Sequence, residues 1–251
     1  MPTEIAAVAP LSWILLAVAA ALAGFSKTAI PGINTLAIAI FAAVLPARAS
    51  TGALLLLLNV GDVFALVSYR RHADWPTLVK LVPAVIAGLA LGALFLAVAD
   101  DGWAKRVIGV ILLGVIALTL WQRRKPPADE PSAHGKRLAR IGYGALGGFT
   151  TMAANAGGPV MSMYFLAARF PVKAFLGTAA WFFAVINLTK VPISIGLGLI
   201  TPTTLLLDLF LVPAVVVGAL IGRRVAARIA QRTFERAVIV FTIIGALYLL
   251  V

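Results

Sequence analysis

Long apolar stretches separated by short polar segments dominate this chain. A helix needs about 20 apolar residues to cross the hydrocarbon core of a bilayer, with a range of about 17–25. Six stretches fit this length, the last one slightly short: 49–69, 77–99, 103–121, 174–198, 203–222 and 234–251. The pattern predicts an all-α polytopic membrane protein, since the strands of a transmembrane barrel alternate apolar and polar residues.

Two further apolar regions, 11–45 and 141–169, contain breaks. Residues 24–32 (GFSKTAIPG) interrupt the first region, and residues 155–159 (NAGGP) interrupt the second. Proline removes a backbone donor and glycine weakens a helix, so each region is predicted to form a half-spanning hairpin of two short helices.

The two halves of the chain correspond to each other. Gly24-Phe25-Ser26 matches Gly148-Phe149-Thr150 at an offset of 124, Pro46 and Gly52 match Pro171 and Gly177 at 125, and Pro83, Val85, Gly88 and Gly92 match Pro213, Val215, Gly218 and Gly222 at 130. A duplicated unit with short insertions produces such offsets; chance coincidence is the alternative. We predict one transmembrane domain, 1–251, in which repeat 1 (9–122) and repeat 2 (141–251) flank a cytoplasmic linker (123–140). Each repeat is a broken hairpin plus three transmembrane helices.

Charge predicts the orientation of these spans. The formal net charge is +12, from 21 Lys and Arg against 9 Asp and Glu. If each hairpin enters and leaves on one side, fifteen basic residues share a side: Arg70, Arg71, Arg123, Arg124, Lys125, Lys136, Arg137, Arg140, Arg169, Lys173, Arg223, Arg224, Arg228, Arg232 and Arg236. The opposite side receives three, Arg48, Lys105 and Arg106. Cytoplasmic loops collect Lys and Arg, so the repeats are predicted to be inverted and both termini to be non-cytoplasmic. The charge then requires no nucleic-acid partner.

Composition excludes several other classes of protein. The chain is 62% hydrophobic and 12% charged, with a mean hydropathy of +1.04. Soluble domains instead contain about 45–50% apolar and about 25% charged residues. A soluble enzyme, a disordered chain and a fibrous protein are excluded. There is no cysteine, and His72 and His134 both lie among charged residues. We therefore expect no metal site and no cofactor.

The order of these motifs resembles the sulfite exporter TauE/SafE family of membrane transporters. The resemblance rests on motifs of both halves: Gly24-Phe25-Ser26-Lys27 with Pro31-Gly32, Leu45-Pro46 with Ala49 and Gly52, Tyr69-Arg70-Arg71 with Asp74-Trp75, Pro83 with Gly88-x-x-x-Gly92, Asn155-Ala156-Gly157-Gly158-Pro159, and Gly218-x-x-x-Gly222. It implies export of a small sulfur-containing anion, such as sulfite, a sulfonate or a related organic acid, across the inner membrane of a bacterium. The implied partners are this anion and the lipid bilayer; a homodimer remains an open alternative.

The two breaks supply groups suited to an anion. The second helices of the hairpins begin near Gly32 and near Gly157 and Gly158, and the first N–H groups of a helix lack partners and carry roughly half a positive charge. Inverted repeats place such helix ends together near the midplane, where they suit an oxyanion. Close helix packing is the alternative role for these glycines.

Lys27 lies at the first break. A charge at mid-membrane costs about 2.5–3.5 kcal/mol on insertion scales, so Lys27 is predicted to be the counter-charge of the substrate; a lysine that reaches an interface is the alternative. Further candidate substrate-binding residues are Thr28, Asn34, Thr35, Thr150, Thr151 and Asn155. Hydrogen bonds between helices are the alternative role for each of them.

Four polar residues in two corresponding spans are candidates for coupling or gating: Asn59, Asp62, Asn187 and Lys190. A desolvated carboxyl group can load and release a proton, so Asp62 is predicted to couple transport to protons. A structural Asp62–Lys190 pair is the alternative. Lys80 and Asp208 are expected at membrane interfaces.

These observations favour a proton-coupled secondary transporter. A passive anion channel with the same site is the second hypothesis, because a channel needs no coupling residue. An intramembrane enzyme is disfavoured, since Ser26 and Ser162 have no buried histidine to act as a base. The chain also has no phosphate-binding loop for nucleotides.

Overall fold

The computed structural model describes residues 10–98, 110, 113–114, 117 and 133–248. In these ranges the main elements are α1 (Pro10–Thr28), α2 (Asn34–Val44), α3 (Ala47–Tyr69), α4 (Trp75–Val98), α5 (Ala133–Ala154), α6 (Gly157–Ala167), α7 (Val172–Gly196), α8 (Pro202–Ala226) and α9 (Gln231–Tyr248), with 3₁₀ turns at Pro31–Ile33 and Arg70–His72. Five helices, α1, α3, α4, α7 and α8, are long and apolar enough to cross a membrane. The prediction of an all-α polytopic membrane protein is confirmed. The predicted span 103–121 lies outside the described residues, apart from isolated positions.

Each broken region forms a long helix followed by a short one. α1 has 19 residues and α5 has 22, whereas α2 and α6 have 11 each. At 1.5 Å per residue the short helices measure about 16 Å, half the hydrocarbon core. The first helix of each hairpin, α1 or α5, is longer than the predicted half-spanning helix, because helical structure continues past the glycines at positions 24 and 148. α5 also begins inside the predicted linker, so residues 133–140 are its first turns.

The two breaks have different local causes. Before Pro31, Ile30 adopts an extended conformation with φ −124° and ψ 95°, because proline disfavours the helical region for the residue that precedes it. At the second break Asn155 is left-handed, with φ 54°, a conformation that asparagine tolerates better than most side chains do. Neither α2 nor α6 has a side-chain cap at its N-terminus.

Helices α1 and α8 pack as a pair, and α4 and α5 pack as a second pair. A Cβ atom added to Gly24 would collide with Val215 O, and one added to Gly148 would collide with Val85 O. The reverse contacts also recur: Gly218 lies against Ala21, Gly88 against Ala145, Gly222 against Phe25, and Gly92 against Phe149. Adding 124 to the number of the α1 residue and subtracting 130 from that of its α8 partner gives the corresponding contact between α5 and α4. The corresponding glycines therefore serve the same close packing in both halves.

Helices α3 and α7, the third elements of the two predicted repeats, run antiparallel to each other. Gly52 near the start of α3 lies against Leu199 after α7, Asp62 contacts Asn187, and Gly177 near the start of α7 lies against His72 after α3. Inverted repeats require this antiparallel arrangement of equivalent helices. Inversion relative to the bilayer stays a prediction.

Candidate functional site

The two breaks meet in the interior of the protein. Asn34 Nδ2 donates a hydrogen bond to Asn155 O at 3.3 Å, and a Cβ atom on Gly158 would lie 3.4 Å from Pro31 O. A cavity of about 20 Å³, the room of roughly one water molecule, lies beside them. It is lined by Ser26, Lys27, Pro31, Asn34, Leu58, Asp62, Thr151, Asn155, Gly158, Ala179, Ala180, Phe183 and Asn187.

Lys27 and Asp62 form an ion pair at this cavity. Lys27 Nζ lies 2.7 Å from Asp62 Oδ1, and the two side chains are 9% and 3% exposed. Asn187 Nδ2 donates to the other carboxylate oxygen at 2.6 Å, and the Lys27 ammonium lies 4.7 Å from the centre of the Phe183 ring. Gly61 makes room for the lysine, since a Cβ atom there would lie 2.9 Å from Lys27 Cγ. Lys27 therefore stays in the interior.

Lys190 is buried beside the second break. Its ammonium donates to Thr151 O at 2.6 Å and to Asn155 Oδ1, while Asn155 Nδ2 donates to Thr51 O at 3.1 Å. The positive charge thus lies at the carboxyl end of α5, where the helix dipole is negative. The alternative of an Asp62–Lys190 pair is wrong, because Asp62 forms its ion pair with Lys27. Lys190 instead holds the side chain of Asn155 in place.

The cluster has an excess of positive formal charge. Lys27 and Lys190 contribute two positive charges, and Asp62 contributes one negative charge. Charges interact more strongly in a low-dielectric interior than in water. The excess of one positive charge favours a bound anion in this interior.

Two kinds of donor at the cavity are available to a ligand. The Thr151 hydroxyl donates no hydrogen bond within the described part of the chain. The first N–H groups of a helix also lack intrahelical partners, and α6 begins with Gly157 and Gly158, without a side-chain cap. Asn34 adds an acceptor, since its buried Oδ1 accepts no hydrogen bond from any residue that the structure describes.

Several other predicted site residues do not line the cavity. Four of them donate to carbonyl oxygens: Thr28 to Ala219 O at 2.8 Å, Thr35 to Gly32 O at 2.7 Å, Thr150 to Leu146 O at 2.8 Å, and Asn59 to Leu55 O at 2.8 Å. Gly32 packs against α9, and Gly157 packs against Thr151. The Thr28 bond joins two helices, whereas the Thr150 and Asn59 bonds lie within their own helices. A role of these residues in binding or coupling stays a prediction.

Six cavity residues were missed as binding candidates: Ser26, Pro31, Leu58, Ala179, Ala180 and Phe183. Ser26, which donates to Pro31 O at 3.0 Å, belongs to the Gly-Phe-Ser-Lys segment and had a sequence signal. Ala179, Ala180 and Phe183 lie in an apolar stretch of α7 and had none. Asp208, expected at an interface, is only 5% exposed, because it lies on the face of α8 that packs inward. Lys80 is exposed on α4.

The helices and the buried charges define a polytopic membrane protein with a charged site between two interrupted helices. The family model described as sulfite exporter TauE/SafE matches residues 16–249. The chain belongs to this family, whose members are membrane transporters of sulfur-containing anions rather than enzymes. No curated protein and no solved structure matches this chain.

Proposed function

We propose that this protein is a secondary transporter that exports sulfite, a sulfonate or a related small organic acid, and that it is coupled to protons. The observation that carries the proposal is the Lys27–Asp62 ion pair in a cavity lined by both breaks. Intramembrane ionisable residues that face an interior cavity mark substrate or ion pathways. Family membership supports the substrate class.

The oxyanion binds beside Lys27 and competes with Asp62 for its ammonium. Charge-assisted hydrogen bonds to an ammonium are about twice as strong as neutral ones. The Thr151 hydroxyl and the first N–H groups of α6 supply further donors. Sulfite and sulfonates each have three oxygens on sulfur, which can accept hydrogen bonds from these groups at the same time.

A proton on Asp62 couples the anion to the pH gradient. When Asp62 is protonated, it no longer neutralises Lys27, and the anion takes its place. When the anion leaves, Asp62 loses the proton and pairs with Lys27 again. Proton and anion therefore bind and cross together, and the loaded and empty sites carry the same net charge. This step runs outward when the outward gradient of the anion exceeds the inward gradient of protons, and an acidic exterior alone drives it inward. Asn187 holds the carboxyl group in place through both steps.

Passage of the anion requires movement of the helices. The cavity holds about one water molecule, which is too little space for an oxyanion. Rocking of the two repeats about the central site would open it to each side in turn. We place the protein in the inner membrane of a bacterium, with both termini outside the cytoplasm. Arg70, Arg71, Arg223 and Arg224 lie at the same end of α3 and α8, which supports this orientation.

Transport by the purified protein in liposomes tests the proposal. Radiolabelled methanesulfonate serves as the probe beside sulfite, because a sulfonate stays ionised throughout the working pH range. An acidic exterior should drive accumulation above the external concentration, and empty liposomes provide the control. Uptake that stops at equilibrium would indicate the passive channel, and absence of uptake of both probes would refute transport of these anions.

A further inference from the structure

Asp208 lies on the inward face of α8, away from the cavity. Its side chain is 5% exposed. Leu207 and Leu211 on the same face are also buried, whereas Leu205 and Leu209 on the opposite face are more than half exposed. The carboxyl group thus lies inside the helix bundle, one to two turns from the start of α8.

Both carboxyl oxygens of Asp208 are buried and have no hydrogen-bond partner in the described part of the chain. No described Lys or Arg forms an ion pair with it. This is unlike Asp62, which has both an ammonium and an amide donor. Asp208 is therefore a buried acid that the anion site does not use.

The helices that pack most closely on α8 are α1 and α3. Their described titratable side chains are Lys27, Asp62 and Tyr69. The first two pair with each other, and the Tyr69 hydroxyl donates to Thr28 O. The Thr28 end of α1 contacts Ala219, about 16 Å along α8 from Asp208 at 1.5 Å per residue.

The other charges of α8 are also distant. Arg223 and Arg224 lie about 22 Å or more along the helix axis from Asp208, at 1.5 Å per residue. A metal ion would need several oxygen ligands, and the described residues contain no cluster of three or more His, Asp and Glu side chains. A proton is the cation that the surroundings of Asp208 can accept.

We propose that Asp208 is a second proton-binding site, separate from the Lys27–Asp62 pair. An ionised carboxylate in apolar surroundings without a donor or a cation is so costly that the group takes up a proton instead. While α1 and α8 are packed together, Asp208 holds this proton as the neutral acid. When the seam between these two helices opens, water reaches the carboxyl group and accepts its proton, which restores the carboxylate.

The close packing of α1 on α8 gives this site its conformational dependence. Two residues from Asp208, Phe210 of α8 packs edge-on against Trp13 of α1, and farther along the seam Gly24, Gly218 and Gly222 bring the two backbones into contact. Removal of the proton favours an open seam, and an acidic medium favours a closed one. This proton site goes beyond the proposed anion transport and does not require it.

Dicyclohexylcarbodiimide, an apolar reagent that adds to protonated carboxyl groups, tests the proposal on the full-length protein in detergent. At about pH 6 the peptide that contains Asp208 should be modified, as measured by mass spectrometry. Modification should fall by at least about fivefold at about pH 10, as the acid ionises. Asp62, held by Lys27, provides the internal comparison and should react much less. Absence of modification at Asp208 at about pH 6, or modification that is independent of pH, would overturn the proposal.

Asp208→Asn provides the second measurement, because the amide has the shape of the neutral acid. It should abolish the modification and leave the thermal midpoint at about pH 6 within about 3 °C of the wild type. A fall of more than about 3 °C would mean that the amide does not replace the group present at about pH 6, which contradicts a neutral acid there. Neither measurement uses an anion, so failure of methanesulfonate transport would refute the proposed function and leave this result unaffected.

Discussion

Asn187 Nδ2 donates a hydrogen bond to Asp62 Oδ2 at 2.6 Å, across 125 positions of the chain. The same offset relates Gly52 to Gly177. In the predicted repeats positions 62 and 187 are equivalent, so their contact lies where the two predicted repeats meet, on the axis that would relate them. This contact joins a carboxylate to an amide and therefore brings one negative charge to Lys27 instead of two. This asymmetry leaves the buried cluster with its net positive charge.

Lys27→Met should weaken binding of methanesulfonate by about 10–100-fold. This factor corresponds to the free energy of one hydrogen bond to a charged group. The single variant also leaves Asp62 buried without its cation, which costs about 3–5 kcal/mol of stability. The double variant Lys27→Met/Asp62→Asn removes both charges and should recover most of that stability without recovering binding. Anion-dependent thermal stabilisation measures the effect.

The matched control for this series is Lys80→Met, at an exposed lysine of α4. It should bind and transport the anion as the wild type does. Wild-type binding by the double variant would remove Lys27 from the anion site.

Asp62→Asn should abolish accumulation driven by a pH gradient while retaining exchange of anion for anion. The substitution raises the formal charge of the cluster from +1 to +2, so anion-dependent stabilisation should persist or increase. Uptake with and without a gradient, compared with counterflow between equal pH values, separates the two effects. The exchanged pair Asp62→Asn/Asn187→Asp returns a carboxylate to the axis and should restore part of the coupling. Undiminished accumulation by Asp62→Asn would assign coupling elsewhere.

Gly218→Ala should destabilise the protein by about 1–3 kcal/mol, the usual cost of overpacking. Its Cβ atom would collide with the Ala21 carbonyl of α1, and neither backbone can move far within a packed helix pair. Gly88→Ala, the equivalent change against Ala145, should have a similar effect. Thermal unfolding in detergent measures both. Gly142→Ala meets no atom within 4 Å and should be neutral or stabilising, because alanine is the better helix former. Equal effects at positions 142 and 218 would contradict the packing argument.

Asn155→Ala should destabilise the second break more than Asn155→Gly does, by about 1–2 kcal/mol. Both changes remove the side-chain bonds to Lys190 and Thr51, and only alanine also strains the left-handed backbone at φ 54°. The difference between the unfolding midpoints of the two variants measures the cost of the strained backbone alone. Arg169 provides the control, because it is exposed and has the same kind of backbone conformation, with φ 57°. Arg169→Gly relieves this strain without the loss of buried hydrogen bonds. An alanine variant as stable as the glycine variant would refute the argument.

The spans and the breaks were predictable because their causes are local. Proline at position 31 acts on the residue before it, and the length of an apolar stretch shows whether it can cross a bilayer. The glycine and proline offsets also identified the helices that make equivalent contacts, as the matching environments of Gly24 and Gly148 show. The lengths of α1 and α5, the first helices of the two hairpins, were underestimated, because glycines at positions 24 and 148 allow close packing without ending a helix.

Side-chain partners were harder to predict because a transmembrane helix is apolar on every face. Such a helix has no polar stripe to show which side faces inward. Asp208 illustrates this, since its distance from the end of a span indicated an interface and its rotation about α8 buries it. Lys190 illustrates it again, because its partners Thr151 and Asn155 belong to a different helix and to the break that follows it.

The sequence alone determined that this chain is a helical membrane protein with a lysine at its first break, and it predicts that the two halves are related. Only the tertiary structure decided that Lys27 pairs with Asp62, that Lys190 supports Asn155, and that Asp208 has no hydrogen-bond partner among the described residues. The physical reason is that a buried charge takes the partner that packing brings within a few ångströms. Those distances depend on how helices far apart in the chain rotate and approach one another.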